Sequence, residues 1–308
     1  MPNPNDYRHM SIEERIRLVE HIYISYPRLE AVIKKIEHCH NHSKHSAEPE
    51  CLLITGETGA GKTTLYKRYE QRFPRYVTED GTTVPVLSVS IPVPATNKSL
   101  VTTLLIALGD PAAEKGTVIF QTLRLKRLVK GCGVELIILD EFQHFIDKDS
   151  RKILQNVSDW LKDLLNENSI PVVLIGMPNS EQILEANKQL KRRFASRESL
   201  APFGWKTSCE QDEFRKFLKV LDGRLPLLER SHLSDTEMAY RIYCATDGTV
   251  AYVMKLVRRA TAIALEQGGE RITLEILARS YDERLAADDP ERENPFLPTW
   301  PGGKDKAA

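Results

Sequence analysis

The chain has 308 residues, enough for one large domain or two modest ones, and its 41% hydrophobic and 28% charged residues are an ordinary globular balance. Lys plus Arg and Asp plus Glu stand at 43 each, so net charge gives no argument for a nucleic-acid partner. No apolar run approaches the ~20 residues that span a bilayer, which argues against a membrane protein or a membrane partner.

The N-terminus is polar and acidic early, unlike a signal peptide. Five widely spaced cysteines without a CxxC pair suit a reducing cytoplasm. Charge is unevenly spread: basic clusters lie at 124–130, 188–197 and 255–259, and an acidic stretch at 282–293. A neutral protein with one basic face can still bind a phosphate backbone; solvated helix faces are the plainer reading.

Residues 11–39 read as helical, with Ser11 and Glu14 at capping-box spacing and Ile12, Ile16, Leu18, Val19 and Ile22 recurring at helical spacing. Residues 40–50 read as a polar linker. Strands are then expected at 51–55, 84–91, 134–140, 171–176 and 200–203. Helices are expected at 62–71, 98–108, 117–130 and 151–166, with two short pieces between 180 and 196. This alternation predicts an α/β fold, a parallel sheet covered by helices. After Trp205 the pattern turns all-helical: 209–221, 234–246, 250–267 and 273–285, with Ser234 and Glu237 as a second capping box. The expected division is a helical segment and linker over 1–50, an α/β core over 51–205, a helical lid over 206–285 and a flexible tail over 286–308.

The run GETGAGKT at 56–63 follows an apolar strand and opens a helix, the context of a phosphate-binding P-loop. Gly56, Gly59 and Gly61 free the backbone to aim amide groups, including those of Glu57, Thr58, Ala60 and Thr64, at phosphates. Lys62 reaches the β- and γ-phosphates of ATP, and the Thr63 hydroxyl ligates Mg²⁺. LIILDE at 136–141 supplies the acids: Asp140 to orient Mg²⁺ and Glu141 to polarise the attacking water. Without the P-loop it would read as a buried strand ending in solvated acids.

Beyond the strand at 171–176, Asn179 and Ser180 are candidates to touch the γ-phosphate, with Met177 as the competing occupant and a helix cap as the plainer role. In QLKRRF, Arg193 is the first candidate for a guanidinium supplied to a neighbouring subunit's ATP, ahead of Arg192 and Arg197. A basic helix end is the alternative.

Together the P-loop, LIILDE, the next strand, the RRF box and the helical lid resemble an AAA+ ATPase. GCGVELIILDEFQHF at 131–145, with KGTV upstream and VVLIGMPNS downstream, is similar to the TnsC/TniB family of transposition regulators. The resemblance spans roughly residues 10–285 and carries several expectations. Such proteins form homo-oligomeric rings or filaments on double-stranded DNA with ATP. They recruit a TnsB-like transposase and communicate with a TniQ-like targeting protein, some within RNA-guided, CRISPR-associated transposons. Hydrolysis promotes disassembly. The resemblance also implies that Lys98 and Thr117 face the DNA backbone, and both stand at predicted helix starts, where phosphate is favoured. Lys115, Lys126 and Arg127 would add charge. The alternatives are a solvated lysine and a helix-capping threonine. One departure is that no arginine falls within four residues after Gly248; Lys255, Arg258 and Arg259 are imperfect substitutes for a lid sensor.

The His tract at 38–45 has zinc-type ligands but no second cluster to pair with. Trp160 and Trp205 read as core, His144 as packing, and Trp300 as either a partner anchor or part of a loose end. Competing functions are a replication initiator or helicase loader, and a nucleotide switch that does not hydrolyse. A transposase is disfavoured because no spaced carboxylate triad stands apart from the P-loop acids.

Overall fold

The computed structural model describes residues 7–43, 48–79, 81–146, 151–168, 170–185 and 187–303. The chain forms two compact units, Pro27–Leu200 and a second made of Met1–Tyr26 with Ala201–Ala308. The segment expected as one piece over 1–50 is therefore divided between them.

The first unit holds a five-stranded parallel sheet in the order β4-β5-β6-β1-β7, from β1 (Leu52–Gly56), β4 (Val86–Ser90), β5 (Leu136–Asp140), β6 (Val172–Gly176) and β7 (Ser196–Leu200). β1, β5 and β6 are buried at every position because helices cover both faces of a central parallel strand, so their sequences are unbroken apolar runs. β7, written SRESL, lies at the edge and is buried only at Leu200. Its polarity explains why the expected strand at 200–203 falls too late. A two-stranded hairpin, β2 (Tyr76–Thr78) with β3 (Gly81–Thr83), was not expected; it is largely exposed and has no apolar alternation to betray it.

Helices α2 (Pro27–Ser43), α3 (Lys62–Glu70), α4 (Asn97–Leu108), α5 (Val118–Gly131), α6 (Arg151–Asn168), α7 (Gln182–Glu185) and α8 (Lys188–Arg193) complete this unit. Leu53, Leu87, Leu104, Leu139, Leu161 and Leu174 are among the side chains that fill its core. α2 continues through His40, which the sequence assigns to a linker. The imidazole is fully buried, with Nδ1 2.8 Å from the Tyr69 hydroxyl and Nε2 3.0 Å from Glu135 Oε2. Among the described residues no group of three metal-ligating side chains forms; His45 lies outside them.

The second unit is helical: α1 (Ile12–Glu20), α9 (Ser208–Asp222), α10 (Thr236–Thr246), α11 (Val250–Glu266) and α12 (Leu274–Arg284). The Ser11–Glu14 capping box forms as expected. The second does not: Asp235 takes the N-cap position of α10 with no side-chain cap bond, while the carbonyl of Ser234 accepts from Arg215 Nε at 2.9 Å. α1 packs on α11, and Arg15, 6% exposed, makes a two-pronged pair with Glu270. Trp205 sits within an aromatic cluster with Phe214, Tyr240 and Tyr243.

Of the tail expected to be flexible, the described part, 286–303, is instead docked on this unit. Asn294 donates to the Ala278 carbonyl and to Asp282, both at 2.9 Å, and Phe296 is 1% exposed. Arg241 donates to the Pro295 carbonyl at 2.6 Å and lies over the Trp300 ring. Composition misleads here because a few buried anchors hold a segment that is otherwise polar. No helix among the described residues is long and apolar enough to cross a membrane.

Candidate nucleotide site

β6 lies between β1 and β5, so the turns leaving all three strands emerge side by side at the C-terminal edge of the sheet, where α/β folds bind ligands. Adjacent strands are about 4.8 Å apart, so the P-loop strand and the acidic strand stand about 10 Å apart across β6.

The turn after β1 is shaped by Gly59 at φ 82° and Gly61 at φ 93°, a left-handed region that other residues enter at a cost. A Cβ placed on Gly61 would meet nothing within 4 Å, so the concavity before α3 is open. Gly61 is the N-terminal cap of α3 and offers no side chain to its free amides. Those amides point at whatever the turn encloses, as an anion site requires. Lys62 is 8% exposed, and its ammonium donates to the Gly56 carbonyl at 2.6 Å and the Glu57 carbonyl at 3.0 Å. Burial pulls its pKa below the ordinary lysine value, while Glu141, Asp140 and Glu57 oppose that.

Asp140 ends β5 and is 2% exposed. Burial raises its pKa, against hydrogen bonds from the Glu141 amide at 2.8 Å and the Thr63 hydroxyl at 3.2 Å. Tyr66, one turn beyond Thr63 on α3, also stands near it: burial first and Asp140 next hold the phenol well above its ordinary range. Glu141 follows at φ 60°. Its Oε2 accepts from Gln143 Nε2 and lies 3.9 Å from His144 Nε2, while His144 Nδ1 lies 2.9 Å from the Ile91 carbonyl.

The residues present fit Mg·ATP. An open glycine turn backed by a buried lysine suits polyphosphate. A hydroxyl touching a buried carboxylate suits a cation that takes one or two protein oxygens and completes its shell with phosphate and water. A ligand set of that kind needs no cluster of three acids or histidines.

The other sequence candidates fall in different places. Beyond β6, Met177 carries the contact to the P-loop: its Sδ accepts from the Thr58 hydroxyl at 3.7 Å and its amide donates to Gln143 Oε1 at 3.1 Å. Asn179 sits in the short 3-10 turn Pro178–Glu181, half-buried, with its Oδ1 unpartnered, and it does not cap that turn. Arg193 ends α8, where its carbonyl accepts from the Cys51 amide. That is the opposite end of β1 from the P-loop, about 17 Å away at 3.3 Å per residue. Arg192 pairs with Glu48 at 3.1 Å and Arg197 with Glu181 at 3.5 Å.

Lys98 and Thr117 are both exposed. Thr117 is the N-cap of α5, and Lys98 lies in the first turn of α4 after the Thr96 cap. Gln121 Nε2 donates to Thr102 Oγ1 at 3.0 Å. Each candidate lies one helical turn before a member of that pair, so both stand at the same end of the α4–α5 layer. Arg124 leaves the basic cluster to brace the preceding loop, bonding Asp110 and the carbonyls of Lys115 and Ala112. In the second unit each substitute lid cation is paired: Lys255 with Asp288, Arg258 with Glu20, and Arg259 with Glu283 and Glu266.

Gln143 and Tyr66 escaped the sequence reading. The available signals were spacings: Gln143 two residues past the Glu141 carboxylate, and Tyr66 three past Thr63, one turn along the same helix face.

No curated protein matches this chain. Among solved structures it is similar to Cdc6p from Pyrobaculum aerophilum (TM-score 0.64, 16% identity, covering 87% of this chain and 71% of that one). It is also similar to the Aeropyrum pernix ORC2 protein (0.61, 17%, 87% and 71%) and to A. pernix ORC1 in complex with DNA (0.60, 16%, 87% and 69%). At these identities the likeness establishes the fold, an AAA+ P-loop core with a helical lid. Residues 15–206 match the family described as "Bacterial TniB protein", well over half of the sequence. The chain belongs to the bacterial TniB family.

Proposed function

We propose that this protein is an Mg²⁺-dependent ATPase that assembles on double-stranded DNA and regulates transposition. The meeting of Lys62, Thr63, Asp140 and Glu141 at one sheet edge carries this reading. Lys62 would exchange the Gly56 and Glu57 carbonyls for β- and γ-phosphate oxygens, with the α3 amides beneath them. Thr63 and Asp140 would hold Mg²⁺, which neutralises charge on the phosphates when bound. Glu141, with a side chain 37% exposed, can take a proton from an attacking water. Asn179, in the turn that leaves β6 with its Oδ1 unpartnered, is the proposed contact to the γ-phosphate. Arg193, at the far end of β1, would act on the ATP of a neighbouring copy.

Membership of the TniB family supports the transposition role, with a TnsB-like transposase and a TniQ-like targeting factor as partners. The likeness to A. pernix ORC1 in complex with DNA supports the DNA role, and Lys98 and Thr117 at one end of α4–α5 are the proposed phosphate contacts. The ORC and Cdc6 likeness also favours a second reading, an origin-acting initiator. Among the described residues no strand follows Leu200, so this stretch does not itself contain a winged helix.

The test is ATP turnover together with negative-stain particle size, with and without duplex DNA, at low and high salt. DNA-dependent rings or filaments that need ATP and dissolve in salt are expected. A monomer whose turnover ignores DNA would remove the assembly role and leave only the ATPase.

A further inference from the structure

We propose that Gln143 is a positioning residue for hydrolysis, fixing the Glu141 carboxylate and tying it to the loop that touches the P-loop. The proposal rests on the reading of Glu141 as the water-polarising group.

The Gln143 side chain is 9% exposed, and both ends of its amide are engaged. Oε1 accepts the Met177 amide at 3.1 Å, and Nε2 donates to Glu141 Oε2. The first bond settles the second. An amide oxygen held by an N–H must turn its NH₂ group the other way, toward a carboxylate that can only accept. Met177 in turn receives the Thr58 hydroxyl on its sulfur at 3.7 Å. A continuous path therefore runs from the phosphate-binding turn through the exit of β6 to Glu141.

Glu141 needs such a holder. It sits just past the strand end at φ 60°, more than a third of its side chain is exposed, and His144 Nε2, 3.9 Å away, is beyond hydrogen-bond reach. A free glutamate would spread over several rotamers and seldom meet a water in line with the phosphorus. Gln143 occupies Oε2 alone and leaves Oε1 for that water. The backbone at Gly176 makes room for the arrangement: a Cβ there would lie 3.0 Å from Gln143 Oε1 and 2.2 Å from Ser180 Oγ.

The experiment measures kcat and KM for ATP, with duplex DNA present, and the affinity for a fluorescent ATP analogue in the full chain. Gln143→Leu keeps the bulk and removes both bonds. Gln143→Glu keeps an acceptor for Met177 but turns a like charge on Glu141. Both are expected to lower kcat about tenfold or more while analogue affinity stays within about twofold. Glu141→Gln, measured alongside, separates the two readings. If Glu141→Gln stalls turnover and both Gln143 variants turn over like the parent, the positioning role is overturned and the Glu141 reading stands. If Glu141→Gln turns over normally, the Glu141 reading itself fails and takes the proposal with it. A parallel loss of kcat and analogue affinity in a Gln143 variant would assign the residue to packing and overturn the proposal.

Discussion

The Thr63 hydroxyl donates to the Asp140 carboxylate at 3.2 Å, joining the first turn of α3 to the end of β5. Two oxygens on separate elements thus stand together where ATP-bound Mg²⁺ would sit. Asp140→Asn keeps the shape but gives up the negative charge that burial has already made costly. Turnover at saturating ATP should fall by about 100-fold, with the Mg²⁺ needed for half-maximal rate moved upward. Steady-state rates across a Mg²⁺ titration check this; an unchanged Mg²⁺ requirement would remove Asp140 from the cation site.

If Arg193 serves a neighbour's ATP, the defect of Arg193→Ala belongs to an interface. The variant should bind ATP normally and turn it over at least 100-fold more slowly. Mixing it with Lys62→Ala, itself inactive, should restore part of the activity, because a mixed interface offers one intact P-loop and one intact arginine. No recovery across mixing ratios would count against action in trans.

The DNA contacts are read from salt dependence. Removing the Lys98 charge should weaken binding for all duplex sequences alike and reduce the slope of log K against log salt by about 0.9. Thr117→Ala should weaken binding with little change in slope, and it also removes the α5 cap, worth about 1 kcal/mol. Fluorescence anisotropy at several salt concentrations separates the two effects. An unaltered slope for Lys98→Ala would place that lysine off the backbone.

Arg15 and Glu270 predict an acid-sensitive helical unit. The hydrogen bond from Arg15 holds the Glu270 carboxyl below its ordinary value of 4.5. The stabilisation is therefore complete above that value and disappears as pH falls through the lowered one. Glu270→Gln leaves a guanidinium that is 6% exposed without its counter-charge and should cost ~3 kcal/mol at pH 7. Urea unfolding of both proteins should show the gap closing in acid. A gap that persists there would mean the charge pair is not its source.

The docked tail gives a further prediction. Phe296→Ala opens a cavity against Tyr281, with which it packs at a ring distance of 6.3 Å, and should cost about 3–5 kcal/mol of tail docking. Limited proteolysis should then cut after residue 286 far faster than in the parent chain. Equal cleavage rates would show that the tail is held by its polar contacts alone.

Sequence alone determined the elements whose pattern is local. The apolar runs of β1, β5 and β6, the glycine turn before Lys62 and the acids that end β5 are legible because a buried parallel strand must be apolar throughout and a phosphate turn must be rich in glycine. The polar edge strand β7, the exposed β2–β3 hairpin and the docked tail were misplaced or missed, because pairing along one edge or a few buried anchors hold them. Tertiary structure alone decided which residues meet. It set Gln143 between Glu141 and Met177, turned Arg124 from a basic patch to a loop brace, and put Arg193 at the far end of β1 from its own P-loop. Periodicity reports which face of an element is buried. Strand order decides which loops share an edge, and it follows from how the whole sheet closes its core.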